Sequence, residues 1–103
     1  MPAQAPATAQ QRQDPPGNGR YILQLTDGRT GEIQIDGPRA TVTIGDQTLY
    51  GRTFPNPPAG ITIFGEDFKL DLTDRAPQGG QLPYFRVEGW LADERVEGLA
   101  YHH

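Results

Sequence analysis

The chain is predicted to be all-β, an eight-stranded antiparallel meander that closes, or nearly closes, into a small barrel. Three features of the sequence carry that expectation. From Arg20 onward apolar residues recur with a period of two. Strand-like runs arrive every eight to ten residues, separated by Asp-Gly, Gly-Pro, Gly-Asp and Gly-Glu. No window places apolar residues at i, i+3, i+4 and i+7 over three turns, so no helix competes. The alternative is a flattened β-sandwich. A barrel removes exposed edges and gives eight strands an interior that side chains can nearly fill.

The first 19 of the 103 residues, MPAQAPATAQQRQDPPGNG, hold no large apolar side chain after Met1. Such a segment buries too little surface to offset its ordering entropy, so 1–19 is read as a disordered Ala/Gln/Pro-rich tail. A helix over 3–13 is the rival reading, with no apolar stripe to pack it. Residues 20–103 form the single domain.

Strands are expected at 20–26, 30–36, 39–45, 47–52, 60–64, 67–73, 84–91 and 95–101. A three-residue loop at Asp27-Gly28-Arg29 pairs Thr26 with Thr30 and Leu23 with Ile33. A Gly37-Pro38 turn, of type II′, pairs Asp36 with Arg39 and Ile33 with Val42. Gly45-Asp46 pairs Thr43 with Thr48. Gly65-Glu66 pairs Ile63 with Phe68. In the last hairpin, FRVEGWLADERVEGLAYHH, Leu91 facing Val96 sets Gly89 opposite Gly98 and explains the repeated Val-Glu-Gly. Two inward glycines then mark a sharp bend or a close approach of backbones. Each register sorts apolar residues to one face, as a half-buried strand requires. The core runs from Tyr21, Leu23 and Leu25 through Ile33, Val42, Leu49, Ile61, Phe68 and Leu91 to Ala100. Two connections are long, 53–60 (TFPNPPAG) and 74–83 (DRAPQGGQLP).

The Gly-x-Tyr opening at Gly19–Tyr21, the tight hairpins and the inward glycines resemble the small calycin-type barrels, such as avidins and lipocalins, over most of 19–101. The resemblance implies a calycin-like barrel. Those families usually place Trp in the first strand, where this chain has Tyr21, and no binding residue is carried over from them.

Composition removes several functions. Net charge is −4 and the basic residues, eight Arg and one Lys, are scattered, so no basic stripe awaits nucleic acid. No apolar run is long enough to insert in a membrane. The chain has neither Cys nor Ser, the usual covalent nucleophiles, and is read as non-enzymatic and without a cofactor. Glu66, Asp67, Asp71 and Asp74 lack a calcium-loop ladder and are read as a solvated strand, and no metal is expected. Glu88 and Glu97 lie beside arginines as surface ion pairs rather than an acid–base pair. His102-His103 is read as a frayed end or the remnant of a tag.

The outer face of the last hairpin collects Trp90, Leu99 and Tyr101 with Arg86 and Arg95, a makeup found at protein-contact hot spots. Ile22 joins them if the last strand pairs with the first. Phe54, Pro55, Pro57 and Pro58 lie in a stiff loop that loses little entropy on docking. The expected function is a non-catalytic protein-interaction module, an inhibitor, envelope accessory or assembly component, that binds a protein partner or itself. The alternative is a small-molecule binder whose interior is opened by Gly31, Gly51, Gly89 and Gly98, with Gln47 and the Tyr21 hydroxyl turned inward. The tail fits what remains after a secretory signal is removed, or equally an ordinary flexible extension, and the chain is read as exported, periplasmic or secreted.

Overall fold

The computed structural model describes residues 16–56, 60–75 and 84–103. Expectations for residues 1–15, for Pro57 and Pro58, and for most of the 74–83 connection lie outside the described residues. Eight strands follow one another: β1 Gly19–Leu25, β2 Thr30–Asp36, β3 Arg39–Ile44, β4 Gln47–Asn56, β5 Gly60–Gly65, β6 Phe68–Arg75, β7 Tyr84–Leu91 and β8 Glu94–His102. Each pairs antiparallel with the next. β1 also pairs with β8, so the sheet closes into a barrel and the flattened sandwich is excluded.

Alternation sets the two faces. In β1, Tyr21, Leu23 and Leu25 are buried while Arg20, Ile22 and Gln24 are exposed. The core joins them to Ile33, Ile35, Val42, Ile63, Phe68, Leu70, Leu72, Phe85, Val87 and Val96, with Leu49, Ile61 and Leu91 half-buried against it. Among the described residues no polar or charged side chain other than the Tyr21 phenol is buried. The Tyr21 hydroxyl donates to the Gly17 carbonyl at 2.5 Å, and Gly37 N–H donates to the Asn18 side chain at 2.8 Å. Residues 17–18 are therefore tied to the barrel rather than part of a free tail.

The β2–β3 and β3–β4 registers are as expected, with Ile33 on Val42 and Thr43 on Thr48. Three others are displaced by two residues. In β1–β2 the pairs are Tyr21 with Ile33 and Leu23 with Gly31. The loop is Thr26-Asp27-Gly28, closed by Leu25 N–H to the Arg29 carbonyl at 2.8 Å and Gly28 N–H to the Leu25 carbonyl at 3.0 Å. Its last position needs a positive φ, and Gly28 supplies it at 100°. In β5–β6, Ile63 pairs with Leu70 and Gly65 with Phe68, which moves the turn to Glu66-Asp67. Gly65 is a strand residue because the Phe68 ring lies directly over it; a methyl group there would overlap the ring.

In β7–β8, Gly89 faces Val96 and Val87 faces Gly98, so the two glycines do not meet. The two Val-Glu-Gly copies pair about Glu88 and Glu97, each Val set against the other copy's Gly. Each Gly makes room for a third strand. A methyl group on Gly89 would collide with the Lys69 carbonyl of β6, and one on Gly98 with the Gln24 carbonyl of β1. The repeat thus lets β7 and β8 approach their outer neighbours, which is where the sheet curves to close.

The inward glycines Gly31, Gly51, Gly89 and Gly98 face neighbouring backbone rather than open space. Over Gly51 a methyl group would meet the Phe64 carbonyl at 2.7 Å and the Phe68 ring at 2.9 Å. Gln47 is exposed, not inward. Among the described residues the buried side chains are apolar apart from the Tyr21 phenol, as a filled core requires.

Candidate partner-binding faces

The last hairpin carries its outward residues in successive rows: Trp90 with Arg95, Glu88 with Glu97, and Arg86 with Leu99. Trp90 is 48% exposed. Leu99 and Tyr101 are half-buried, and Tyr101 sits beside Ile22 across the β1–β8 seam. Trp90 and the Leu99/Tyr101 pair therefore do not form one aromatic cluster, because a charged band divides them. In that band Arg95 meets Glu97 at 2.7 Å and Glu88 at 3.5 Å, while Arg86 meets Glu88. The two glutamates that oppose each other are neutralised by the two arginines. The Arg95 guanidinium is held above its ordinary pKa by its hydrogen bond to Glu97. Leu99 and Arg86 line a shallow cleft of about 370 Å3 with Gln24 and Glu97.

Trp90 belongs instead to a second surface. Its neighbour on β6 is Lys69, whose neighbour on β5 is Phe64. Phe64 is 55% exposed. Phe64, Lys69 and Trp90 line a cleft of about 520 Å3 with the Glu66-Asp67 turn. Phe64 in turn faces Arg52 on β4, with Tyr50 and Phe54 on the same outer face of that strand. The sequence reading missed Tyr50, Phe64 and Arg52. The signal was available, since an aromatic at an outward position of a strand is visible once the register is known.

Phe54 and Pro55 do not lie in a loop. They lie near the end of β4, opposite Thr62 and Ile61 of β5. Proline is tolerated here for a definite reason. Thr53 N–H donates to the Pro38 carbonyl at 3.0 Å, at the start of β3. With a period of two, the Pro55 nitrogen faces the same side, beyond the end of β3, where no strand asks for a donor. Both residues are exposed.

His102 is not frayed. It pairs with Tyr21 in the β1–β8 ladder and packs its ring edge-on against Tyr21 at 5.0 Å. Asp71 accepts from Thr62 at 2.5 Å and from Lys69 at 3.1 Å, as befits a satisfied outer strand.

No family model matches the chain, and no solved structure matches it. Among curated proteins it is similar to chromosome transmission fidelity protein 8 of Saccharomyces cerevisiae. The two are 43% identical over 70 residues, which make up 61% of this chain and 51% of the yeast protein. The chain thus spans about half the length of the curated relative it matches. This similarity overturns the expectation of an exported or periplasmic location: chromosome transmission takes place inside the cell, with the chromosomes.

Proposed function

We propose that the barrel is a non-catalytic interaction module of a protein assembly that serves chromosome transmission. The observation that carries this reading is the 43% identity over 70 residues to a protein named for that process. The outer surface supports it. Aromatic and aliphatic side chains stand on it beside arginines, in two patches: exposed Ile22 with half-buried Leu99 and Tyr101 on the seam, and exposed Trp90 with Phe64 on the opposite side of the charged band. Aromatic residues and Arg are enriched where proteins meet. A closed barrel has no free edge with which to add a strand, which leaves its outer faces and its loops for contact.

Replacing the gene with Trp90→Ala or Leu99→Glu variants in the protein's own cells tests the reading. The expected result is a raised frequency of chromosome loss and release of the domain from its co-purifying assembly. The isolated variants should keep the circular dichroism and melting temperature of the wild type to within a few degrees. Unchanged chromosome loss in a strain lacking the gene altogether sinks the proposal.

A further inference from the structure

Arg75 aside, the arginine and lysine side chains among the described residues divide into two kinds. Arg20, Arg29, Lys69, Arg86 and Arg95 each meet a carboxylate at 3.1 Å or closer. Arg39 and Arg52 meet none, although they are direct cross-strand neighbours on β3 and β4. Like charges directly opposite on a sheet destabilise it. The equivalent problem at Glu88 and Glu97 is solved within the molecule by two arginines. At Arg39 and Arg52 no ion pair forms, although Asp36 is Arg39's neighbour on β2, and exposed aromatics surround Arg52. Tyr50 (73% exposed) and Phe54 (46%) flank Arg52 on β4, and Phe64 faces it on β5. A cleft of about 340 Å3 opens between Arg39 and Tyr50.

From this arrangement we infer that the outer face of β3–β5 is a docking surface for a protein segment that carries carboxylates and apolar side chains. The carboxylates neutralise Arg39 and Arg52, and the apolar groups cover Tyr50, Phe54 and Phe64. The inference rests on the proposed interaction role and adds the surface and the chemistry of the partner. Nucleic acid fits less well. The basic residues are scattered and the chain is acidic overall, so two arginines among exposed aromatics stand in place of the continuous basic stripe that a phosphate backbone requires. A two-fold-related copy would set the arginines against their own images.

The test places a photo-crosslinking amino acid at Phe64, and separately at Leu99, in the full chain within its own cells. Adducts are mapped to the residue by mass spectrometry, and the protein found is then purified and titrated. The expected adduct at Phe64 is a protein, crosslinked in a segment containing Asp or Glu. Arg52→Glu should weaken its binding at least tenfold, Arg52→Ala less, and added salt should weaken the wild-type complex. Arg52→Glu should also raise the melting temperature of the free domain, which a merely structural role for Arg52 would not give. No adduct at Phe64, an adduct with nucleic acid or with the domain itself, or wild-type affinity in Arg52→Glu overturns the inference. If only Leu99 yields an adduct, with a chromosome-associated protein, the docking surface falls and the proposed function stands. A Phe64 adduct with a protein unconnected to chromosomes, bound through Arg52, does the reverse.

Discussion

Tyr21 shows how one side chain can couple the end of the barrel to pH. Its ring is buried between Phe85, at 5.7 Å, and His102, and its hydroxyl donates to the Gly17 carbonyl. Burial raises its pKa above the ordinary value. A raised folded pKa means that the unfolded chain loses the proton first, near pH 10. Stability linked to Tyr21 is therefore complete below that pH and is lost as pH rises toward the folded value. Tyr21→Phe should cost about 1 kcal/mol near neutrality, from the lost hydrogen bond. Above pH 10 its deficit against the wild type should shrink in urea titrations; a constant gap would contradict this. Ala92 offers the opposite case. It holds φ at 56° in the Ala92-Asp93 turn, a region that disfavours L side chains by roughly 1–2 kcal/mol. Ala92→Gly should raise stability by about 0.5–1 kcal/mol in thermal or urea unfolding. The burial of the Tyr21 ring was visible from its place in an alternating strand. The strain at Ala92 was not, because it depends on which two residues form the turn.

At the scale of the hairpin, alternation reports sidedness and nothing finer. A slip of one residue would turn every side chain over, but a slip of two leaves both faces unchanged. This is why β1–β2, β5–β6 and β7–β8 were displaced by two while every strand kept its core face. The deciding contacts come from outside the pair. Gly65 must lie under the Phe68 ring, and Gly89 against the Lys69 carbonyl of β6, a strand the hairpin alone does not contain. The same blindness hid the second surface, since Tyr50, Arg52, Phe54 and Phe64 come together only through the β4–β5 register. Gly89→Ala should therefore cost about 3 kcal/mol or more, at the upper end of overpacking, because a backbone carbonyl cannot rotate away. Gly17→Ala, where a methyl group would meet nothing within 4 Å, serves as the control and should cost far less. The element scale also predicts that Arg52→Glu stabilises the free domain. It converts a like-charge pair with Arg39 into an attractive one, worth roughly 0.2–1 kcal/mol. Differential scanning calorimetry should show a small rise in melting temperature; a fall would mean that the two arginines do not repel.

Closure is a property of the whole molecule and rests on the β1–β8 seam. Seven of the eight strand pairings join neighbours in the chain; the eighth joins its two ends and is the only one that requires the whole chain to be in place. The seam pairs Tyr21 with His102, Leu23 with Ala100 and Leu25 with Gly98. It is extended by Thr26 N–H to the Glu97 carbonyl and His103 N–H to the Arg20 carbonyl, both at 2.8 Å. Gly98 controls it, because any Cβ there strikes the Gln24 carbonyl of β1. Gly98→Ala should thus do more than lower stability. With the seam forced apart, β1 and β8 become edge strands carrying unpaired backbone groups, and such edges recruit other chains. The expected outcome is fast hydrogen exchange along β1 and β8, slow exchange retained in β3 and β4, and concentration-dependent association in light scattering. Gly89→Ala, which presses on the Lys69 carbonyl of β6, should instead place the fast exchange along β6 and β7 and leave β1 and β8 protected. A Gly98→Ala protein that stays monomeric, with β1 amides as protected as those of β3, would show that the barrel can close without the close approach at Gly98, and that the repeated Val-Glu-Gly has some other cause.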